Sequence, residues 1–417
     1  MTAVSQGEIR RAQRQLLGSN ATDAAGRSLA DITIDLVFVG ALGATAMHMG
    51  LLNMLGSLAF VIASLPAGHL VDRYSALRVL RIGLGAKFAL LACLALLAFT
   101  GTLSIPLGML LSTLLGICNV FSETSQTTAV PQLIDEDPAK RTSGISKLIA
   151  RLSAADQTMT VVIPAVAGTG FTFLGAPAML SLAAGLGLLG LLLAWQVRSY
   201  RQQQVAGAGE AVQGDKPKVL SGLKYLVKHR LLMAITLAVA LANLGLAIGS
   251  AVEAIFIIKD LGFGEVGYGL FASIGGVGGL IGAALAGRIS FAYPPEKLLL
   301  FSGSAQALLA GCVLLAAFTS DAISLILLTV QALGWGVVAL VFNIASSAWV
   351  VGIVPEALLG RVLSARRLFT FGAVPLGGLL GGWLGTSFGT TAGLIGWVLA
   401  TSLAVLCYLL MRGPATR

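Results

Sequence analysis

The stretch SYRQQQVAGAGEAVQGDKPKVLSGLKYLVKHR, residues 199–230, decides the fold because it is the only long polar segment in a chain of apolar runs. The 417-residue chain is 56% hydrophobic and only 11% charged, whereas soluble proteins carry roughly a quarter charged residues. Apolar runs near the roughly 20 residues that cross a bilayer as a helix recur on both sides of the stretch. The composition therefore predicts an integral membrane protein.

Reading the apolar runs between polar breaks gives twelve membrane-spanning helices, six before the polar stretch and six after it. The predicted fold is all-α and integral to the membrane, with two pseudo-symmetric six-helix bundles. We expect an N-terminal bundle over residues 1–198, a cytoplasmic linker over 199–228 and a C-terminal bundle over 229–417.

The two halves also share an interruption. The fifth and eleventh predicted helices each carry a proline with glycines: Pro164 with Gly168, and Pro375 with Gly378. Two halves with corresponding interrupted helices are typical of secondary transporters, in which one half rocks against the other about a site near the bilayer midplane.

The basic residues predict the orientation. All but four of the 27 Lys and Arg residues fall in segments that a twelve-span chain places on one side of the membrane. Because Lys and Arg are enriched in cytoplasmic loops, both termini and the linker are expected to be cytoplasmic, in a multi-pass protein of the cytoplasmic membrane. The net charge is +9, but the basic residues are distributed over short loops and do not form one soluble face, which argues against a nucleic-acid partner. A monomer in the lipid bilayer is expected.

The second part of the linker, KVLSGLKYLVKH at residues 218–229, places leucines at helical spacing among lysines. This pattern predicts a short basic amphipathic helix. Two interpretations remain open: the helix lies on the anionic inner leaflet, or the segment is a solvated linker that happens to be basic.

The first predicted span, NATDAAGRSLADITIDLV at residues 20–37, carries a row of charges. Asp23, Arg27, Asp31 and Asp35 recur every four residues and so share one helix face. A charge costs roughly 2.5–3.5 kcal/mol at the centre of a span on insertion scales, so the row should face protein or a wet cavity. Either the row binds substrate and relays protons, or Arg27 pairs with Asp23 and Asp31 within the helix.

Proton coupling is assigned to three carboxylates, Asp31, Asp35 and Asp156. The row in the first helix holds three acids and one base, so at least one acid is left over unless another helix supplies a cation. A desolvated carboxylate without a partner cation can exchange protons with either side. Protons that return through the membrane potential contribute about 2.3 kcal/mol per charge per 100 mV, which can drive transport.

The expected substrate cavity comprises Asp23 and Arg27 with four residues of later helices, which are Glu123, Asn243, Trp335 and Asn343. Glu123 either receives a cationic substrate or acts in gating or packing. Trp335 is interpreted as a substrate platform, whereas Asn343 favours an interhelical hydrogen bond.

Other features have simpler interpretations. Lys87 and Arg151 lie near predicted helix ends and are expected to extend to the interface. The glycines of GGVGGLIG, residues 275–282, are interpreted as close helix packing. No phosphate-binding Gly-x-x-x-x-Gly-Lys-Ser/Thr loop is present. The three histidines are scattered, so neither a metal, a cofactor nor an enzymatic activity is expected.

The segment LPAGHLVDRYSALRVL, residues 65–80, resembles the major facilitator superfamily signature Gly-x-x-x-Asp-Arg followed by basic residues. The matching positions are Gly68, Asp72, Arg73 and Arg78, while Ser75 replaces the usual second glycine. The resemblance implies close packing of Gly68 against the eleventh helix. It also implies that Asp72 interacts with the positive N-terminal end of that helix.

Residues 341–384 resemble the third drug:proton antiporter group, which includes enterobactin exporters and macrolide efflux proteins. Residues 163–180 are similar to that group's fifth helix, with Gly168 retained. No arginine occupies the fourth helix, where many drug antiporters carry one, and Gln126 is the nearest polar residue. The resemblance implies multidrug-type efflux of amphipathic or hydrophobic small molecules by proton antiport and alternating access. A dedicated exporter of a siderophore or macrolide, a lipid translocase and a non-transporting sensor remain alternatives.

Overall fold

The computed structural model describes residues 6–134, 138–197 and 219–411, and these residues are almost entirely helical, with no strand among them. Short non-α turns, Val37–Ala41, Val130–Leu133 and Phe256–Asp260, follow the first, fourth and seventh α-helices. The α-helices are α1 (Gln6–Leu36), α2 (Ala46–Arg73), α3 (Ala76–Phe99), α4 (Ile105–Ala129), α5 (Pro138–Gln196), α6 (Val219–Lys228), α7 (Arg230–Ile255), α8 (Gly264–Ala292), α9 (Pro295–Ala316), α10 (Asp321–Ile353), α11 (Glu356–Phe388) and α12 (Thr390–Met411).

Ten helices in the described part of the chain are long and apolar enough to cross a membrane. One of them, α5, has 59 residues and contains Gly175 at φ 77° and ψ 173°, a conformation that glycine tolerates because it has no Cβ. This residue lies where the sequence predicts the break between the fifth and sixth spans. The charge row keeps α1 out of the ten. The prediction of an all-α membrane fold is confirmed, and the count of twelve spans stays a prediction.

The chain forms two compact units. The N-terminal unit comprises Met1–Val37 and Leu58–Val212, and the C-terminal unit comprises Phe38–Ser57 and Gln213–Arg417. The start of α2 thus belongs to the C-terminal unit, whereas the sequence predicts it as part of the N-terminal bundle over residues 1–198.

Small residues explain why the start of α2 packs in the C-terminal unit. Gly50 lies so close to Gly378 and Gly382 of α11 that a Cβ at residue 50 would overlap their backbone. The side chain of Asn53 donates a hydrogen bond to Ser250 Oγ of α7 at 3.2 Å. Small residues let helix backbones approach in this way.

In the N-terminal unit, α1 packs along α5, and α3 packs against α4 and α5. Ser19 Oγ of α1 donates to the carbonyl of Gly190 at 2.8 Å, and Leu16, Leu80 and Leu84 are fully buried near the same end of these helices. This packing presents one face of α1 to α4 and to the first part of α5.

In the C-terminal unit, α7 packs against α11 and α12, while α10 packs against α8 and α9. The glycine-rich stretch at residues 275–282 lies against α10, where Gly278 meets the backbone of Leu333, and Gly336 meets Gly275 and Gly279. The interpretation of these glycines as close helix packing is confirmed.

The predicted amphipathic helix of the linker is α6, but its apolar side contacts protein. Leu226 is fully buried, and Leu223 and Tyr225 pack on the same core of the C-terminal unit. Gly222 lies directly against the backbone of Arg361 in α11. Neither earlier interpretation predicted this contact of Leu223 and Leu226 with protein, whereas Val227 of the same helix is 56% exposed.

We expect Gly336→Ala to destabilise the protein by about 1–3 kcal/mol, because the added methyl group would overlap backbone atoms of α8 that cannot move aside. The thermal unfolding midpoint of the detergent-purified chain measures this effect. Gly311→Ala in α9 is the matched control, since no atom lies within 4 Å of its Cβ position. That variant should be unchanged or stabilised by up to about 1 kcal/mol. Equal midpoints for the two variants would contradict the packing argument.

Candidate substrate and proton site

Arg27 of α1 is ion-paired with two carboxylates from other helices. Its guanidinium contacts Glu123 of α4 and Asp156 in the first part of α5. Arginine suits this arrangement because its planar fork of donors can serve two acceptors at once. The predicted pairs of Arg27 with Asp23 and Asp31 are wrong, because the packing of α1 turns Arg27 toward α4 and α5.

Asp23 instead pairs with Lys87 of α3. The side chains are 5% and 4% exposed, respectively, so both charges lie inside the protein. The prediction that Lys87 extends to the interface is wrong, because its side chain is buried and Asp23 of α1 supplies a counter-charge. Breaking such a buried pair leaves one uncompensated charge, which is strongly unfavourable.

Two amides extend this pair. Gln126 Nε2 of α4 donates to Asp23 Oδ2 at 3.3 Å, and Asn20 Nδ2 of α1 donates to Gln126 Oε1 at 2.8 Å. A buried relay therefore runs from Lys87 through Asp23 and Gln126 to Asn20, and it links α3, α1 and α4.

The relay ends at a polar cavity of about 280 Å³ in the N-terminal unit. The cavity is formed by α1, α4 and α5, and both carboxylates that hold Arg27 line it. We call it the α1/α4/α5 cavity. Its lining residues are Asn20, Glu123, Gln126, Thr127, Leu152, Ser153, Asp156 and Gln157.

The two remaining acids of the α1 row differ from each other. Asp31 is exposed and has no hydrogen bond or ion pair with any residue in the described ranges. Asp35 is partly buried and interacts with a neighbouring group. In the α1 row, Asp23 thus belongs to a buried ion pair and Arg27 is shared by two carboxylates, while Asp31 and Asp35 lie nearer the end of the helix.

The predicted residues of the C-terminal unit occupy separate places on α7 and α10. Asn243 donates to the carbonyl of Thr370 on α11 at 3.0 Å. The Trp335 ring packs edge to face against the ring of the buried Trp397, with the two ring centroids 5.1 Å apart. Asn343 is exposed and donates to the carbonyl of Ala339 in its own helix, so the predicted interhelical hydrogen bond is wrong.

The signature residues lie at the junction of α2 and α3 in the N-terminal unit, and the implied contacts of Gly68 and Asp72 with α11 stay predictions. The Asp72 side chain lies outside the described part. Arg73 sits 5.8 Å from the ring centroid of Tyr74, and Arg78 is exposed.

The helix-interrupting residues lie inside the two units. Pro164 and Gly168 are buried in α5, and Pro375 is buried in α11. Gly378 is in backbone contact with α2, as described above for Gly50.

Arg366 of α11 is a further partly buried charge that sequence reasoning did not single out, because it was counted only among the basic residues of the cytoplasmic side. Its guanidinium donates to Ser346 Oγ at 2.9 Å, and its Nε is buried with no acceptor among the described residues. Among the residues described here, no group of three His, Cys, Asp or Glu side chains could hold a metal ion.

Residues 16–347 match the Major Facilitator Superfamily. The chain belongs to this family of membrane transporters. No curated protein matches the chain in sequence.

Solved structures show the same fold at low sequence identity. The nucleoside transporter NupG has a TM-score of 0.74 at 16% identity, over 96% of this chain and 98% of that one. A bacterial homologue of the iron transporter ferroportin has a TM-score of 0.72 at 16% identity, over 99% of this chain and 100% of that one. A bacterial homolog of the human lysosomal transporter Spinster has a TM-score of 0.69 at 13% identity, over 98% of each chain.

Replacing Lys87 by Met should destabilise the protein by about 3–5 kcal/mol, because Asp23 would be left charged and buried. Asp23→Asn combined with Lys87→Met should cost less than Lys87→Met alone, since the double variant removes both charges. Unfolding of detergent-purified variants in a double-mutant cycle measures the coupling. Lys147→Met, at an exposed position of α5, should change stability by less than about 0.5 kcal/mol. Additive effects of the two replacements would show that the pair is not coupled.

Proposed function

We propose that the chain is a proton-coupled secondary transporter that exports amphipathic or hydrophobic small molecules by alternating access. We place it in the cytoplasmic membrane, as a monomer with both termini in the cytoplasm. The observation that carries the proposal is the sharing of Arg27 between Glu123 and Asp156 at the rim of a polar cavity.

The shared arginine supports proton coupling through its charge balance. One guanidinium faces two carboxylates, so the three groups together carry one negative charge when all are ionised. Either carboxylate can accept a proton or a cationic group while the other remains paired with Arg27. When the occupant leaves, both carboxylates still face Arg27, so the one remaining negative charge is shared between two paired groups instead of being isolated in the membrane.

Within this proposal, Asp156 binds the coupling proton and Glu123 meets the substrate. Asp31 and Asp35 pass protons along α1, and Asn243, Trp335 and Asn343 are proposed substrate contacts within the C-terminal unit. The interruptions at Pro164 and Pro375 support alternating access, because broken helices of paired halves are the elements that transporters of this kind move.

The export direction is supported by the resemblance to drug:proton antiporters. This resemblance rests on residues 341–384 and on the fifth helix around Gly168. The positive charge of the predicted cytoplasmic loops supports the placement of both termini in the cytoplasm.

Asp156→Asn should reduce substrate-driven proton flux at least about tenfold, because the amide cannot release a proton. The measurement uses proteoliposomes with an imposed pH gradient, ethidium as the test compound and an internal pH dye. Asp321→Asn is the matched control, since Asp321 is an exposed carboxylate in the first turn of α10. Wild-type flux in Asp156→Asn would remove this residue from the coupling step.

The double replacement of Asp31 and Asp35 by Asn should slow coupled exchange, because it removes the two acids that remain beyond Arg27 on α1. The same vesicles measure the rate. If they still exchange ethidium for protons at the wild-type rate, the α1 acids have no coupling role.

The wild-type protein decides between this function and its alternatives. If erythromycin but not ethidium moves, a dedicated exporter is favoured. Movement of a labelled phospholipid alone would indicate a lipid translocase, and no movement of any of the three would contradict transport of these classes.

A further inference from the structure

Asn20 has a buried acceptor that none of the described residues uses. The residue is 8% exposed, and its side chain lines the α1/α4/α5 cavity. Its Oδ1 is buried and has no hydrogen-bond partner among the described residues. Buried polar atoms in native proteins are nearly always hydrogen-bonded, so this oxygen indicates a donor supplied from outside the protein.

The orientation of the Asn20 amide is fixed by the relay behind it. The carboxylate of Asp23 pairs with Lys87 through one oxygen, so its other oxygen can only accept a hydrogen bond. Gln126 must therefore present its NH₂ group to Asp23 and its carbonyl oxygen to Asn20. Asn20 must then present its own NH₂ group to Gln126, which leaves Oδ1 as the free end.

The charge of the cavity selects the kind of donor. Glu123 and Asp156 line the same space as Asn20, and they share only one guanidinium. An incoming group therefore meets a surplus of negative charge together with an unused acceptor. A protonated amine satisfies both, since an ammonium has positive charge and several N–H donors and no acceptor.

We propose that Asn20 Oδ1 accepts a hydrogen bond from an ammonium group of the transported molecule. Asn20 is then a specificity-determining residue that distinguishes amines with N–H bonds from quaternary ammonium ions. Lys87, Asp23 and Gln126 act as positioning residues that set the direction of its amide. This inference rests on the proposed transport function, since it names the substrate class of the same cavity.

The test compares two probes that have the same charge and the same ring. Phenethylammonium carries N–H donors, and N,N,N-trimethylphenethylammonium has none. Isothermal titration of the full-length, detergent-purified chain should show binding of the first probe about tenfold tighter than the second, the range expected for one hydrogen bond to a charged group. Asn20→Ala should abolish this preference and leave the affinity for the trimethyl probe within about twofold.

Two further variants separate recognition from folding. Gln126→Leu retains Asn20 but removes the group that fixes its amide, so the preference should fall even where Asn20→Ala fails to fold. Gln15→Ala is the control, because this amide of α1 lies outside the cavity and bonds to Gln196. It should keep the wild-type preference.

Each result decides for or against the inference. Equal binding of the two probes by wild type, no binding of either probe, or a full preference in both Asn20→Ala and Gln126→Leu would overturn it. Absence of binding would assign the Asn20 acceptor to water instead of substrate. Titration uses no proton gradient, so a failure of proton coupling in vesicles leaves this result intact, and the two proposals can fail separately.

Discussion

The buried ion pair between Lys87 and Asp23 is the interaction on which the N-terminal unit depends. It joins α3 to α1, orients Gln126 of α4, and through Gln126 orients Asn20. It also occupies Asp23, so that Arg27 pairs with acids of α4 and α5. The Lys87–Asp23 pair and the Arg27 ion pairs thus join α1, α3, α4 and α5, and these ion pairs also position the residues that line the cavity.

The C-terminal unit is held together differently. Its closest contacts are between glycines and neighbouring backbone, as at Gly336 and Gly378. Backbone packing of this kind places helices accurately without any charge in the membrane. In the N-terminal unit, by contrast, ion pairs join the helices, and the two acids that hold Arg27 line a polar cavity.

The sequence predicted the parts of this structure that depend on a single helix. Apolar runs located the spans, and the break at Gly175 and the role of the glycines at 275–282 followed from local pattern. A helical face shows which side chains point together, but it does not name the helix that meets them. The environments predicted for Arg27 and Lys87 were therefore wrong. Leu223 and Leu226 of α6, which were expected to face lipid or solvent, instead pack on the core of the C-terminal unit.

The division of α2 between the two units bears on how the protein could be assembled from pieces. A fragment that begins at the linker would lack residues 38–57, and the glycine face of α11 at Gly378 and Gly382 would then have no chain lying on it. Separately expressed halves should therefore recombine through this face. Complementation between fragments is accordingly a property of a short piece of α2, because residues 38–57 are separated in the chain from the rest of the unit in which they pack.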